Sequence, residues 1–257
     1  MRFAVLLVVS LVLTAVALAG NPPDPVETHV VATGSGPCGT AVAQGGVWVG
    51  VYGTGTLLRL DPDTGRVTRR IPIGPWACRV AVDTRAAWVT RDRAGELVRV
   101  DLGTGRRQRL DVGALPFDVT LAFGAIWVTG FDAGTVTRKR RMRRVDVGTK
   151  APGWPRCIRG ELWVTTPNGV LRIDAWSGEV LARLRLEGTP AEAAAGPDGL
   201  VWVTDKERSL VHRIYAKRGV VVNSFAAGPG AYSLARVDPA MWITSFAGAD
   251  IRRYDRR

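Results

Sequence analysis

Apolar and polar residues alternate along most of this chain in short runs, each closed off by Gly, Pro, Asp or Asn. A period of two marks strands with one face inside and one outside, and no stretch sustains the period of an amphipathic helix. The runs themselves repeat. Six tryptophans follow an apolar or small residue and precede a β-branched one: "VWV" at Trp48, "AWV" at Trp88, "IWV" at Trp127, "LWV" at Trp163, "VWV" at Trp202 and "MWI" at Trp242. Their spacings are 40, 39, 36, 39 and 40 residues. A period near forty, filled with short strands and turns, predicts propeller blades of four strands each.

One unit reads out completely. "GTAVAQ" is the innermost strand, "GGVWVGV" the second, "GTLLRLD" the third and "RVTRRIPIG" the outer one, with "DPDTG" as the Asp/Pro/Gly turn before it. That turn recurs as "DLGTG" from Asp101 and "DAWSG" from Asp174. The sixth unit lacks its outer strand, since "ADIRRYD" is followed by only two residues. "VETHVVATGSGP" from Val26 matches "RVTRRIPIGP" from Arg66 and supplies it. The predicted fold is therefore all-β: a six-bladed β-propeller whose last blade is completed by the N-terminal strand, which removes an open sheet edge. It fills residues 20–257 as one domain, and a monomer is expected.

A second regularity sits on the third strands. Eleven residues after a Trp come Arg59, Arg99, Arg138, Arg213 and Arg253, and in the shortened fourth unit Arg172 follows Trp163 by nine. A symmetric hairpin puts Trp and Arg opposite each other, where they can stack as a cation–π pair. Repetition in every blade makes this a structural feature.

The N-terminus changes the expected compartment. Arg2, the apolar run Phe3 to Ala17, the small residues of "ALAG" and the helix-breaking "NPPDP" have the layout of a signal peptide over residues 1–19. Secretion or association with the cell envelope is expected, and the Arg/Ala/Gly/Val-heavy usage suits a GC-rich bacterial genome. No cysteine follows the cleavage site to take a lipid anchor.

The net charge is +12, and part of it has an address. Arg138, Lys139, Arg140, Arg141, Arg143 and Arg144, broken only by Met142, form the outer hairpin of the third blade. With Arg66, Arg69, Arg70, Arg106, Arg107 and Arg109 they offer a positive rim, either a solvated edge or a surface for anionic envelope polymers or lipid headgroups. Nucleic acid is disfavoured, because no aromatics are interleaved for stacking on bases.

Candidate chemistry belongs at the channel mouth, where the inner strands start. Ten residues before a Trp stand Cys38, Cys78, Phe117, Glu192 and Tyr232; one later come Gly39, Arg79, Asp118, Ala193 and Ser233. The irregular "GWPRC" brings Trp154, Arg156 and Cys157 nearby, and adjoining turns add Tyr52, Arg91, Asp92, Phe131, Asp132, Asp205, Lys206 and Phe246. From these, Arg79, Asp118, Glu192, Tyr232 and Arg156 are predicted to bind a partner or a small polar ligand. Standard catalytic sets are missing. His29 and His212 fall on outer and third strands, which removes a His-based metal site and a Ser-His-Asp triad; no metal or cofactor is expected. Cys38 and Cys78 hold equivalent positions in adjacent blades, and bridging them requires Cα atoms within about 7 Å.

The stretch "LLRLDPDTGRVTRRIPIG…VAVDTRAAWVT" resembles the YVTN-type and virginiamycin B (streptogramin) lyase-like propeller repeats of bacteria. The resemblance implies a ring scaffold with ligands at the channel mouth. The lyases use a mouth histidine with a magnesium ion and carboxylates, and this chain has no histidine at that position. No catalytic residue carries over. Binding without chemistry is the expectation; the alternative is a lyase or hydrolase with Asp118 or Glu192 as base, Arg79 as electrophile and Tyr232 as proton donor.

Overall fold

The computed structural model describes residues 22–113, 115–122, 125–130, 135–139, 144–146, 155–174 and 179–256. The signal-like segment lies outside them. Strand β1 (Val26–Ala32) is followed by β2 (Pro37–Ala43), β3 (Gly46–Val51), β4 (Thr56–Leu60) and β5 (Val67–Pro72), which form one antiparallel sheet in sequence order. The second sheet is β6 (Ala77–Val82), β7 (Ala86–Arg91), β8 (Glu96–Asp101) and β9 (Arg107–Asp111). The third is β10 (Pro116–Ala122), β11 (Ala125–Gly130), β12 (Thr135–Lys139) and β13 (Arg144–Asp146). The fourth is β14 (Pro155–Ile158), β15 (Glu161–Thr166), β16 (Gly169–Asp174) and β17 (Val180–Arg185). The fifth is β18 (Pro190–Ala195), β19 (Val201–Asp205), β20 (Leu210–Tyr215) and β21 (Val220–Ala226). The last contains β22 (Ala231–Val237), β23 (Ala240–Ser245) and β24 (Asp250–Asp255), with β1 paired to β24. This is an all-β propeller of four-stranded blades.

Burial follows from position in the sheet. The second strand β3 is buried along its whole length, while the outer strand β5 keeps mostly polar, part-exposed residues. The core lies between sheets. Trp48 packs with Val80, Ala87, Val89 and Val98 of the next sheet, and Trp163 with Val201, Val203 and Ile214. Trp202 packs with Leu234 and Ile243, and Trp242 with Val47, Val49 and Leu58. A large ring at each of these four junctions accounts for the repeat: a sheet is apolar on both faces only where a neighbour covers it.

The register between second and third strands is as predicted. Trp48 faces Arg59, Trp88 faces Arg99, Trp127 faces Arg138, Trp163 faces Arg172, Trp202 faces Arg213 and Trp242 faces Arg253. Stacking is narrower than register. Arg99 and Arg172 lie 5.6 and 5.5 Å from their tryptophan rings. Arg213 instead lies over Phe225 and donates to Asn223 Oδ1, Pro22 O and Pro23 O, while Arg59 donates to Gln44 O and Thr68 Oγ1 and Arg253 to Pro62 O. Backbone carbonyls within reach of a long fork outcompete the ring face. A double-mutant cycle on Trp88 and Arg99 is expected to give a coupling of about 0.5–1 kcal/mol for this part-exposed pair; denaturant titration of the four proteins checks it, and zero coupling would make the stacking incidental.

Candidate functional site

Inner strands carry a bulge near their start. Pairing skips between Pro37 and Gly39, Ala77 and Val80, Pro116 and Asp118, Pro190 and Ala193, and Ala231 and Leu234. A bulge leaves amides without a ladder partner and re-aims the side chains beside it. A threonine two residues after the tryptophan takes the freed amide. Thr90 Oγ1 accepts from Arg79 N at 3.0 Å, Thr129 from Asp118 N at 2.8 Å, Thr204 from Glu192 N at 3.0 Å and Thr244 from Ser233 N at 2.9 Å. This Trp-x-Thr pattern, readable in the sequence, turns Arg79, Asp118, Glu192 and Ser233 toward one another.

They meet in a single network. Arg79 Nη1 donates to Glu192 Oε2 at 3.2 Å; Arg156, on β14, donates to Glu192 Oε1 through Nε at 2.8 Å and to Asp118 Oδ2 through Nη1 at 2.8 Å. The Ser233 hydroxyl donates to Glu192 Oε2 and accepts from Thr40 N at 3.0 Å. Every one of the six sheets contributes one residue: Thr40, Arg79, Asp118, Arg156, Glu192 and Ser233. Two guanidiniums face two carboxylates, so the charges cancel. Arg79, Asp118 and Glu192 are buried, and Arg156 keeps 21% of its side chain exposed. Burial opposes the Arg156 charge, but the Asp118 and Glu192 carboxylates outweigh it and hold its pKa above the ordinary value.

Next to this charged layer lies an aromatic one. Cys38, Cys78, Ala191 and Tyr232 are buried together, with Tyr52, Phe117 and Phe246 packed against them and half-exposed. The Arg79 guanidinium stands 4.7 Å from the Tyr232 ring centre, so the two layers touch. Burial pushes the Tyr232 phenol up despite Arg79 nearby. At the edge, burial raises both the Tyr52 phenol and the Asp92 carboxyl.

Cys38 and Cys78 are joined in a disulfide, with their Cα atoms 5.0 Å apart. Inner strands of neighbouring blades come this close because two glycines permit it. A Cβ on Gly50 would lie 2.0 Å from Cys78 O, and one on Gly39 2.7 Å from the Arg79 Cα. Cys157 is free and exposed.

All five predicted ligand-binding residues converge, with two changes. Glu192 does not stand in the layer of Cys38, Cys78 and Tyr232, where Ala191 takes its place; it sits one layer further in. The cause is the longer turn between Ala195 and Val201, where the first sheet has only Gln44 and Gly45 between its paired ends. And Arg79, Asp118, Arg156 and Glu192 fill the axis by pairing with each other. Sequence reasoning missed Thr40, whose place opposite Ser233 has no local signature. Phe131, Asp132 and Trp154 lie outside the described residues, as do positions 140–143 of the basic run; Arg138 holds its place on β12. His29 stands beside Trp242 on the outside, and His212 bonds to Ser224 Oγ at 2.7 Å, away from the axis. The donors do not fit a magnesium ion, because both axial carboxylates are held by guanidiniums and no imidazole reaches them.

The fold and site define a propeller with a charge-locked axis under an aromatic mouth. Solved structures share that fold. Virginiamycin B lyase from Staphylococcus aureus is 19% identical with a TM-score of 0.63, covering 89% of this chain and 84% of that one. A streptogramin B lyase is 18% identical with a TM-score of 0.64, covering 90% and 88%. Hydrazine synthase from Kuenenia stuttgartiensis is 14% identical with a TM-score of 0.67, covering 89% and 97%. At these identities the likeness is one of fold, and fold alone does not carry activity. No protein-family pattern and no curated protein matches the chain.

Proposed function

We propose that this protein is a secreted or envelope-associated, monomeric propeller whose six sheets close into one ring, binding a partner or small ligand at the mouth without chemistry. One observation carries the non-catalytic part: the candidate base and electrophile neutralise each other. A general base needs a free lone pair within reach of the substrate. Glu192 already accepts from Arg79, Arg156 and Ser233; Asp118 accepts from Arg156 through Oδ2, and its Oδ1, which has no hydrogen-bond partner, is buried out of a substrate's reach. The signal-like N-terminus and the Cys38–Cys78 disulfide support an oxidising compartment. The two lyases named above suggest the sharpest test. Incubated with a streptogramin B-type lactone, with or without Mg²⁺, the protein is expected to leave it intact by liquid chromatography. A ring-opened product that forms with Mg²⁺ and is lost in Glu192→Gln would establish the enzyme reading instead.

A second reading, a structural envelope protein held by its basic rim, is favoured by the exposure of Arg66, Arg70 and Arg106. Arg69 and Arg107 support it less. Their guanidiniums donate across the first two sheets to Leu102 O and Pro72 O, which is a structural use of their charge.

A further inference from the structure

Lys206 is the one exposed cation of the mouth that lies on aromatic rings among the described residues. Its ammonium is 4.9 Å from the Phe246 ring centre and 5.2 Å from that of Tyr232. The turn that carries it is fixed by hydrogen bonds: Lys206 N donates to Thr189 O at 3.0 Å, and Asp205 Oδ1 accepts from the amides of Glu207 and Arg208, each at 3.0 Å. The carboxylates nearby have other partners. Asp205 is buried beneath the turn, Glu207 accepts from the Thr189 hydroxyl at 2.9 Å, and Asp92 Oδ1 accepts from the Arg93 amide at 2.6 Å. No ion pair to Lys206 is found among the described residues.

The rings around it are set for a flat partner. Tyr232 and Phe246 are 5.4 Å apart at 50°, and Tyr52 and Phe246 6.4 Å apart at 55°, so their tilted faces form an open angle. Tyr52 and Phe246 are half-exposed. An aromatic face offers area and stacking at little entropic cost, while an ammonium held in place lacks only an anion. We propose that the mouth takes a small planar aromatic ligand bearing one carboxylate or similar anionic group, with the ring stacked on Tyr52 and Phe246 and the anion on Lys206. This rests on the reading of the mouth as a binding site and names its ligand class.

Calorimetric titration with three probes tests it: 2-naphthoate, the neutral 2-naphthamide and the cationic 2-naphthylmethylammonium. Naphthoate is expected to bind about tenfold tighter than the amide, the scale of one charge-assisted hydrogen bond, and the cation weakest of all. Lys206→Met, on an exposed turn, should bring naphthoate down to the amide's affinity without moving the melting temperature. Phe246→Ala should weaken both. Equal binding of amide and naphthoate, tighter binding of the cation, or an anion preference that survives Lys206→Met would overturn the anionic ligand class, while loss of that binding in Phe246→Ala would leave mouth binding standing. No binding by any probe would overturn both.

Discussion

Glu192→Ala is expected to destabilise the protein by about 3–5 kcal/mol, the range for removing one partner of a buried ion pair. The reason lies in what remains behind. Arg79 is fully buried and makes an ion pair with Glu192, so the variant takes away the carboxylate that faces a guanidinium inside the axis. Arg156 loses one of its two carboxylates, and Ser233 and the Leu234 amide lose an acceptor. A cavity at the centre adds to the cost, since the axis is where all six sheets meet. For a domain of this size each kcal/mol lowers the melting temperature by about 2–4 °C. A fall of about 6–20 °C by calorimetry would agree, and a shift within about one degree would mean that the network contributes nothing.

Deleting residues 26–33 should be worse than its length suggests. Strand β1 covers the edge of β24 from Val26, opposite Asp255, to Ala32, opposite Asp250. Its side chains reach further. Glu27 accepts from Arg252 at 3.0 Å and from the Tyr254 hydroxyl at 3.1 Å, Thr28 donates to Asp255 at 2.6 Å, and Val31 packs into the cluster around Trp242. The residues before it are tied as well, with Pro22 O accepting from Arg213 at 2.6 Å. Removing the strand bares the ladder groups of β24 as a template for pairing with other chains, and uncovers apolar surface near Trp242. The expected outcome is a melting temperature lower by about 10 °C or more, with concentration-dependent aggregation visible by light scattering. A truncated protein that melts with its parent and stays monomeric would show that β1 is dispensable.

How much could be read from the chain itself depends on distance along it. The tryptophan period identifies the sheets because Trp48, Trp163, Trp202 and Trp242 each pack against the next sheet, and the Trp–Arg register follows from symmetric hairpins. The missing outer strand of the last unit points to Val26 because a propeller leaves few other places for it. The axis is a different matter. Arg79, Asp118, Arg156 and Glu192 were legible as polar residues at inner-strand starts, but their pairing spans up to 113 residues and crosses between sheets that are not sequence neighbours. Nothing local encodes it. The one-residue offset of Glu192 came from the loop before Trp202, where "GPDGL" lengthens the turn and breaks the count back from the tryptophan. The disulfide depended on how closely two sheets approach, and that was written in the small residues Gly39 and Gly50.

The central proposal is that the axial charges serve each other, which leaves binding to the mouth. A double-mutant cycle on Arg79→Met and Glu192→Gln measures this directly by denaturant unfolding of the four proteins. Each single change strands a buried charge or removes its match; together they leave a neutral, shape-conserving pair. The coupling is expected to be about 2–3 kcal/mol, with the double variant more stable than Glu192→Gln alone. Additive effects, with coupling near zero, would contradict the account and free Glu192 for another role.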